Sequence, residues 1–392
     1  MKIAMMVRGY LTVPRPADMI YAPLDLAVAI AEGLVGRGHK VDFFAPLGSG
    51  PIGVPIESCN LRPLARDQQE FRALIEDLEK MNHYVPGLWD RYMVDEMFKR
   101  AHAGEYDLLH FHHAEAALPH AMGNTQVPVA YTLHDPIYGW YKELFELYES
   151  PNQRYISISN NQRRDAPDLN YAGTVYNSTN TDLWPFGEEA EDYLLIAGRI
   201  VPEKGIKEAI QVAQATDHRL LIIGPVYPDN QGYFDQYIKP YLNDKILYLG
   251  YMEQEQLACY YKKAKAFLMP IQWEEPFGLT MIEAMACGTP VIALRRGAVQ
   301  EVVADGKTGF VVDSITEMIE AVQKIDTINR ADCREHVLQN FSLEKMVDAY
   351  EATFEKILSK RKKLTRVKNK IRSVPSAVKK VAKKARKTQP VG

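Results

Sequence analysis

Residues 273–293 read Trp-Glu-Glu-Pro-Phe-Gly-Leu-Thr-Met-Ile-Glu-Ala-Met-Ala-Cys-Gly-Thr-Pro-Val-Ile-Ala and place two carboxylates and a Pro-Phe-Gly turn directly before an alanine-rich helix. Pro276 lacks a backbone N–H and suits the turn before a helix, while Gly278 lets the backbone approach a ligand closely. A helix that begins near Leu279 would direct its free N–H groups at that ligand. Turn, helix and short apolar strand in this order predict one unit of a parallel α/β sheet with a ligand beside the turn.

Short apolar runs alternate with helical periodicity along most of the chain, which is the pattern of parallel sheets with crossover helices. The alternation predicts an α/β protein of two doubly wound, Rossmann-like units, whose ligands bind in the cleft between them, outside the carboxyl ends of the strands. The candidate strands are Ile3–Met6, Val41–Phe44, Leu108–His110, Val129–Thr132 and Tyr155–Ile158 in the first unit, and Leu194–Ala197, Leu220–Ile223, Ile246–Leu249, Ala266–Met269, Pro290–Ala293 and Phe310–Val312 in the second.

The chain divides into four predicted parts. An amphipathic segment with Ser342 as N-cap and apolar residues at 343, 346, 347, 350 and 354 predicts a final helix. The predicted parts are an N-terminal unit of residues 1–182 with a helical insertion at about 62–103, a C-terminal unit of residues 183–340, a closing helix at 341–358 and a tail at 359–392.

The composition is that of a globular protein, with 46% hydrophobic and 25% charged residues among 392. No run approaches the roughly 18 apolar residues that span a bilayer, and the first residues do not resemble a secretory signal. The four cysteines form no Cys-x-x-Cys pair, so a reduced cytoplasm is the predicted location. Residues 356–392 hold 15 of the 47 Lys and Arg residues and no acidic residue, so the chain has an acidic body and a basic tail.

A second motif, Gly198-Arg-Ile-Val-Pro-Glu-Lys-Gly205, follows the strand at 193–197. Arg199 leaves the strand and Lys204 precedes the next helix, so the turn between them lets two cations converge. Such a pair suits a diphosphate, because Arg can bind two oxygens and Lys adds a mobile charge. The alternative is that both are solvated surface charges.

The opening stretch supplies carboxylates to the same edge of the sheet. Glu275 precedes the helix and Glu283 lies inside it. One carboxylate can therefore accept hydrogen bonds from the hydroxyl groups of a sugar ring, and the other from those of a ribose. The alternative is that both carboxylates only interact favourably with the helix dipole and bind no ligand.

These motifs resemble those of the family 4 retaining glycosyltransferases of GT-B fold, whose signature is Glu-x7-Glu. The resemblance extends to 198–205 as a diphosphate motif, to 297–312, and to the closing helix. In the first half, Thr132-Leu-His-Asp135 is similar to a family strand, with His134 at the position of the active-site histidine. One departure is the turn after the first strand, where family members often have Gly-Gly and this chain has only Gly9.

The resemblance implies a role for each motif residue. Arg199 and Lys204 would hold the diphosphate of a nucleotide sugar, Glu283 the ribose, and Glu275 the transferred sugar. Backbone N–H groups around Phe277, Gly278 and Leu279 would assist, and His134 would lie near the reacting face of the sugar. Catalytic roles are thus expected for His134, Glu275, Arg199 and Lys204.

The implied reaction is transfer of a sugar with retention, from a UDP-sugar or, next in preference, a GDP-sugar, to a glycan, lipid-linked or small-molecule acceptor. No metal or other cofactor is expected, since the cations and the helix N-terminus stabilise the departing diphosphate and the sequence holds no Asp-x-Asp triplet. The alternative is a catalytically silent nucleotide-sugar or glycan binding module. A dinucleotide dehydrogenase is disfavoured, because no Gly-x-Gly-x-x-Gly follows the first strand.

Three other features have weaker functional interpretations. His110, His112 and His113 could bind a metal, but no carboxylate triad accompanies them. Tyr138, Trp140 and Tyr141 could line an acceptor subsite or simply pack. The tail predicts contact with an anionic membrane surface on the inner face, with a disordered tail as the alternative and specific nucleic-acid binding not expected.

Overall fold

The computed structural model describes residues 1–16, 19–124 and 126–372, and for 360–372 it describes the backbone alone. The strands are β1 (Lys2–Met6), β2 (Lys40–Phe44), β3 (Ile56–Glu57), β4 (Leu108–Phe111), β5 (Val129–Leu133), β6 (Gln153–Ser157) and β7 (Tyr171–Thr174) in the N-terminal domain, and β8 (Tyr193–Ala197), β9 (Arg219–Ile223), β10 (Ile246–Gly250), β11 (Ala266–Met269), β12 (Val291–Leu294) and β13 (Gly309–Val312) in the C-terminal domain.

Each domain is built on one parallel sheet. The N-terminal order is β3-β2-β1-β4-β5-β6-β7 and the C-terminal order is β10-β9-β8-β11-β12-β13. Both sheets wind outward in two directions, so the order reverses beside β1 in one and beside β8 in the other, and at these points ligands of doubly wound sheets bind. The central strands β5 and β8 are buried at every residue, as expected for strands covered by helices on both faces.

Helices cover both sheets. They are α1 (Ala22–Gly36), α2 (Gln68–Glu76), α3 (Leu78–Asn82), α4 (Val85–His102), α5 (Ala114–Met122), α6 (Trp140–Leu147), α7 (Ile206–Thr216), α8 (Gln231–Tyr237), α9 (Gln254–Lys263), α10 (Leu279–Ala286), α11 (Val299–Val302), α12 (Ile315–Lys324), α13 (Arg330–Asn340) and α14 (Leu343–Arg372). Among them, no helix combines the length and the apolar character needed to cross a membrane.

The two-domain α/β architecture predicted from the sequence is confirmed. All eleven predicted strands are present, and the structure adds the short edge strands β3 and β7. It also adds α13, whose buried residues are only Cys333 and Val337, so its amphipathic pattern is weak.

Helices α2, α3 and α4 occupy the predicted insertion and pack on the loop after β1. Tyr10 and Leu11 of that loop form a small apolar cluster with Leu74 of α2 and Trp89 of α4. The insertion also reaches the other domain, since the guanidinium of Arg72 lies 5.5 Å from the ring centre of Tyr227. The insertion therefore borders the cleft.

Helix α14 returns from the C-terminal domain to the N-terminal one. Tyr350 and Phe354 are buried in the apolar core that includes strand β1 and helix α1. Gly33 of α1 permits this approach, because a Cβ there would lie 2.4 Å from the Cγ2 of Val347. The helix continues to Arg372, so the first part of the predicted tail is helical, whereas residues 373–392 lie outside the described residues.

Candidate active site

Two loops of the C-terminal domain, at 198–205 and 270–278, meet at the carboxyl ends of β8 and β11. The backbone N–H of Gln272 donates to the carbonyl of Glu203 at 2.8 Å. Gly205 has a φ of 71°, and a Cβ there would lie 1.9 Å from the carbonyl oxygen of Pro270. Only glycine fits this contact, which fixes the residue before it beside the second loop.

Lys204 and Glu275 form an ion pair where these loops meet. Lys204 Nζ donates to Glu275 Oε2 at 2.6 Å, and Trp273 Nε1 donates to the same oxygen at 3.1 Å. The side chains retain 23% and 11% of their solvent exposure, respectively. The sequence predicts that both residues bind the donor, and in the free protein they neutralise each other.

Gly297 and Ala298 hydrogen-bond to the loop at 270–278 and hold Glu275 in place. The N–H of Ala298 donates to the carbonyl of Glu275 at 2.9 Å, and the N–H of Gly297 donates to the carboxylate of Glu274, also at 2.9 Å. A Cβ on Gly297 would lie 2.2 Å from the carbonyl oxygen of Glu275. The segment after β12 therefore sets the position of this carboxylate.

The N-terminus of α10 opens at the same place. Gly278 is its N-cap in the left-handed region, with a φ of 89° and no side-chain cap. The amides at the start of the helix are thus available to an anion, and their dipoles favour one. The side chain of Phe277 is buried against Tyr176 and Phe341, so only its backbone is available to a ligand.

Glu283 lies inside α10, and its side chain is partly exposed. Burial of the carboxyl raises its pKa to about 7, and the nearby hydroxyl of Tyr261 lowers it in part. That hydroxyl is close to the carboxyl but does not meet hydrogen-bond geometry with it. Among the described residues, no ion pair or hydrogen bond joins Glu283 to Lys204 or Glu275.

Arg199 follows β8, and its side chain is exposed. It lies close enough to Asp135, in the other domain, to lower the pKa of that carboxyl, which loss of hydration raises. The carboxyl ends of β8 and β5 therefore face each other across the cleft. The structure brings Lys204 to Glu275 and Arg199 towards Asp135, which follows His134 directly in the sequence.

His134 stands at the end of β5, and its side chain is partly exposed. Its Nε2 lies 3.0 Å from Nδ1 of His112, which follows β4. Burial lowers the pKa of His134 to about 4, so the ring is neutral near pH 7. A neutral imidazole can donate or accept a hydrogen bond but carries no charge for the diphosphate.

The N-terminal wall of the cleft is a network of charged and polar side chains that the sequence did not predict. We define it as Arg8, Asp90, His113, Glu115 and Asp135. Arg8 Nη2 lies 3.0 Å from Asp90 Oδ2, and Arg8 Nη1 lies 2.8 Å from Nε2 of His113. His113 Nδ1 lies in turn 3.1 Å from Glu115 Oε2.

Asp90, on α4 of the insertion, also holds the turn after β1. Its Oδ1 accepts from the N–H of Gly9 at 2.6 Å, and its side chain is 1% exposed. Burial raises its pKa to about 6, and Arg8 and the N–H of Gly9 lower it in part. Asp90 lies 81 positions from Gly9, so its role could be inferred only from the three-dimensional structure.

The remaining sequence candidates lie near this wall. Tyr141 lies close enough to Glu115 to lower the pKa of that carboxyl, whereas Tyr138 and Trp140 are 59% and 71% exposed. Across residues 1–16, 19–124 and 126–372, no group of three His, Cys, Asp or Glu side chains is placed to hold a metal ion.

Two family models divide the chain between them. Residues 26–180 match the model for Glycosyltransferase Family 4, and residues 181–340 match the model for Glycosyl transferases group 1. The chain belongs to the family 4 glycosyltransferases. The resemblance found in its motifs is thereby confirmed.

Known proteins similar to this glycosyltransferase include sugar transferases. N-acetyl-alpha-D-glucosaminyl L-malate synthase of Bacillus anthracis is 24% identical over 373 residues, which cover 84% of this chain and 92% of that protein. Lipopolysaccharide 1,2-N-acetylglucosaminetransferase of Salmonella typhimurium is 32% identical over 155 residues, covering 36% of this chain and 40% of that protein.

Solved structures of the same fold include sucrose-phosphate synthase from Thermosynechococcus elongatus, with a TM-score of 0.70, 20% identity and coverage of 92% of this glycosyltransferase and 100% of that chain. HepE of Anabaena, in complex with UDP-glucose, gives a TM-score of 0.65 at 17% identity, covering 91% and 100%. The predicted GT-B fold is therefore confirmed.

Proposed function

We propose that this chain is a retaining glycosyltransferase that moves a sugar from a UDP-sugar, or next in preference a GDP-sugar, to a hydroxyl group of its acceptor. The contact between Lys204 and Glu275 beside the N-terminus of α10 is the observation that carries the proposal. It joins a cation for a diphosphate and a carboxylate for sugar hydroxyls in one place. HepE, which shares the fold, binds UDP-glucose, so this donor is tried first.

Donor binding exchanges the partners of this ion pair. Lys204 turns to the diphosphate together with Arg199 and the amides of Phe277, Gly278 and Leu279. Glu275 then accepts hydrogen bonds from the sugar hydroxyls, and Glu283 accepts those of the ribose. Trp273 still donates to the Glu275 carboxylate, which keeps its orientation during the exchange.

The rate enhancement comes from charge stabilisation. As the bond from the anomeric carbon to the diphosphate breaks, negative charge grows on the leaving oxygen, and fixed donors there lower the barrier. Arg199, Lys204 and the helix N-terminus supply them, so the reaction needs no metal. The acceptor attacks from the face that the diphosphate leaves, and the leaving phosphate takes its proton, so no enzyme nucleophile is assigned. His134 lies at the reacting face.

The charge of the N-terminal wall favours a neutral acceptor, such as a glycan, a lipid-linked sugar or a small polyol. Asp90 neutralises Arg8, and Glu115 and Asp135 add two carboxylates near it. An anionic acceptor would meet these carboxylates, whereas hydroxyl groups can donate to them.

A panel of nucleotide sugars, with released nucleotide as the readout, tests this function. We expect release from a UDP-sugar that persists in EDTA and falls in the Glu275→Gln variant. The anomeric configuration of the product, read by NMR, checks retention. Thermal stabilisation by UDP without turnover on any donor or acceptor would instead indicate a binding module.

We further propose that the enzyme works at the cytoplasmic face of an anionic membrane, which the basic residues 359–392 contact. Each basic residue near such a surface contributes about 1 kcal/mol. The full chain should sediment with vesicles that contain phosphatidylglycerol and not with phosphatidylcholine vesicles, and a chain ending at residue 358 should sediment with neither. Equal sedimentation of both chains would contradict this location.

A further inference from the structure

His112 and His134 form a hydrogen-bonded pair on adjacent strands. His112 follows β4 and His134 follows β5, and these strands are neighbours in the sheet. Nδ1 of His112 lies 3.0 Å from Nε2 of His134, and the ring centres are 5.2 Å apart at an angle of 18°. One proton must lie between the two nitrogens, because a hydrogen bond needs a donor and an acceptor.

Each ring carries a single proton near neutral pH. Burial lowers the pKa of His134 to about 4 and that of His112 well below its ordinary value, with the neighbouring histidines adding to the effect for His112. Two arrangements are then possible. Either His112 donates through Nδ1 and His134 keeps its proton on Nδ1, or His134 donates through Nε2 and His112 keeps its proton on Nε2.

The surroundings of Nε2 of His112, the buried nitrogen of the pair, distinguish these two arrangements. Nε2 of His112 is buried and has no hydrogen-bond partner among the described residues. The adjacent ring of His110, centred 4.4 Å away, is bonded through its own Nε2 to Thr132 Oγ1, which in turn contacts the hydroxyl of Tyr350. In the second arrangement a buried N–H would point at no acceptor, which is rarer and less favourable than an unused lone pair.

We propose that His112 holds His134 in the tautomer with its proton on Nδ1, so that His134 presents an N–H donor to the cleft. Nδ1 of His134 makes no hydrogen bond within the described residues, and the side chain is partly exposed. The inference rests on the proposed function, because it takes the cleft ligand to be the sugar donor and acceptor. His134 then donates to a substrate oxygen and cannot remove the acceptor proton, and His112 is a positioning residue.

The tautomer can be measured without any substrate. In two-bond ¹H–¹⁵N spectra of the full-length protein labelled with ¹⁵N-histidine, protonated and bare ring nitrogens have different shifts, and comparison with His134→Gln assigns the ring. We expect a protonated Nδ1 and a bare Nε2 for His134 near pH 7. A protonated Nε2, alone or in an imidazolium, would overturn the inference and leave the proposed function untouched.

Two variants of His112, whose new side chains have the same shape as each other, test the positioning role. His112→Asn keeps an N–H donor near the place of Nδ1, whereas His112→Asp puts an acceptor there that draws the proton of His134 onto Nε2. We expect kcat within about threefold of wild type for the first, and a loss of about tenfold for the second, the size of one hydrogen bond. His112→Asp should also raise the pKa of His134 and bring an acid limb into the pH profile of kcat/KM.

The opposite order of the two variants, or an equal loss in both, would contradict the positioning role. Thermal melting of both variants monitors folding, and the spectra of the wild-type protein decide the tautomer even if the aspartate variant does not fold. Absence of transfer from every donor in the wild-type enzyme, with the tautomer as expected, would contradict the proposed function alone.

Discussion

Lys204 and Glu275 form an ion pair in the free enzyme, and this pair determines the expected effects of substituting either residue. Glu275→Gln removes the charge that holds Lys204 and the charge that would repel a diphosphate. We expect UDP to bind as tightly as to wild type or more tightly, while kcat falls about 10- to 100-fold, the loss of hydrogen bonds from sugar hydroxyls to a charged group. Isothermal titration and donor turnover measure the two effects.

The control for this variant is Glu203→Gln, which removes an exposed carboxylate from the adjacent loop. It should change neither UDP affinity nor kcat beyond about twofold, since exposed charges interact weakly. Loss of UDP affinity in Glu275→Gln, with kcat unchanged, would reverse the roles assigned to Glu275 and Lys204.

The raised pKa of Glu283 predicts that nucleoside binding depends on pH. Its pKa is raised by burial to about 7, so the carboxyl is neutral below that pH and ionised above it. The ionised form accepts hydrogen bonds from two ribose hydroxyls more strongly. We expect the affinity for uridine, which has no titrating phosphate, to rise several-fold from pH 6 to pH 8. A rise of this size corresponds to the free energy of about one hydrogen bond.

Fluorescence titration with uridine measures this dependence. The Glu283→Gln variant should bind uridine with an affinity that does not change between those pH values. A wild-type affinity that is equally flat, or one that falls as the pH rises, would show that Glu283 does not bind the ribose in its ionised form.

At the level of secondary structure elements, α4 fixes the turn after β1 through Asp90. Asp90→Asn keeps an oxygen for the N–H of Gly9 but leaves the guanidinium of Arg8 without its counter-charge. Breaking a buried pair on one side costs about 3–5 kcal/mol, so we expect a large fall in the free energy of unfolding, measured with urea. Asp95→Asn, on the exposed face of the same helix, is the matched control.

Asp95 pairs with Lys99 at the surface, with 49% and 61% of the side chains exposed, so its substitution should cost less than about 1 kcal/mol. The double variant Arg8→Met with Asp90→Asn should recover much of the lost stability, because it removes the unpaired guanidinium and keeps the oxygen that accepts from the N–H of Gly9. Equal unfolding free energies for Asp90→Asn and Asp95→Asn would show that the buried pair does not hold the turn.

The elements themselves were largely predictable from the sequence, for a physical reason. The central strands are buried on both faces and read as continuous apolar runs, and Gly205 and Gly278 mark turns that only glycine fits. The weak edge strand β7 contains Gly173, and α13 buries few residues, so neither gives a clear pattern.

The site was predictable only in part. The motifs indicated Lys204 and Glu275 as candidates through their residue types and through the rule that ligands meet the carboxyl ends of strands. The ion pair between them, the hold of Asp90 on Gly9 and the bond between His112 and His134 depend on contacts 71, 81 and 22 positions apart in the sequence. Local pattern carries no information about such contacts.

In the whole molecule, Glu301 of α11 connects the two domains. Its carboxylate accepts hydrogen bonds from the N–H of Asn160, the side-chain amide of Asn160, the N–H of Asn161 and the hydroxyl of Tyr176, at 2.7 to 2.9 Å. Arg164 adds an ion pair to Glu274, in the loop at 270–278, at 3.2 Å. These contacts join the C-terminal domain, including its loop at 270–278, to the N-terminal domain.

Glu301→Gln should therefore loosen the arrangement of the domains without altering either domain. An amide oxygen can accept from some of the four donors, but the NH₂ group faces donors and leaves others unpaired, at a cost of about 2 kcal/mol. We expect a larger radius of gyration in small-angle scattering and a lower kcat. The affinity for UDP should be kept, because the loops at 198–205 and 270–278, which we propose to bind it, belong to one domain. Glu320→Gln, an exposed carboxylate on α12, should change none of these quantities. If Glu301→Gln leaves scattering and kcat as in wild type, the relative position of the domains is set elsewhere, and α14, packed through Tyr350 and Phe354 on the N-terminal core, becomes the element that holds them together.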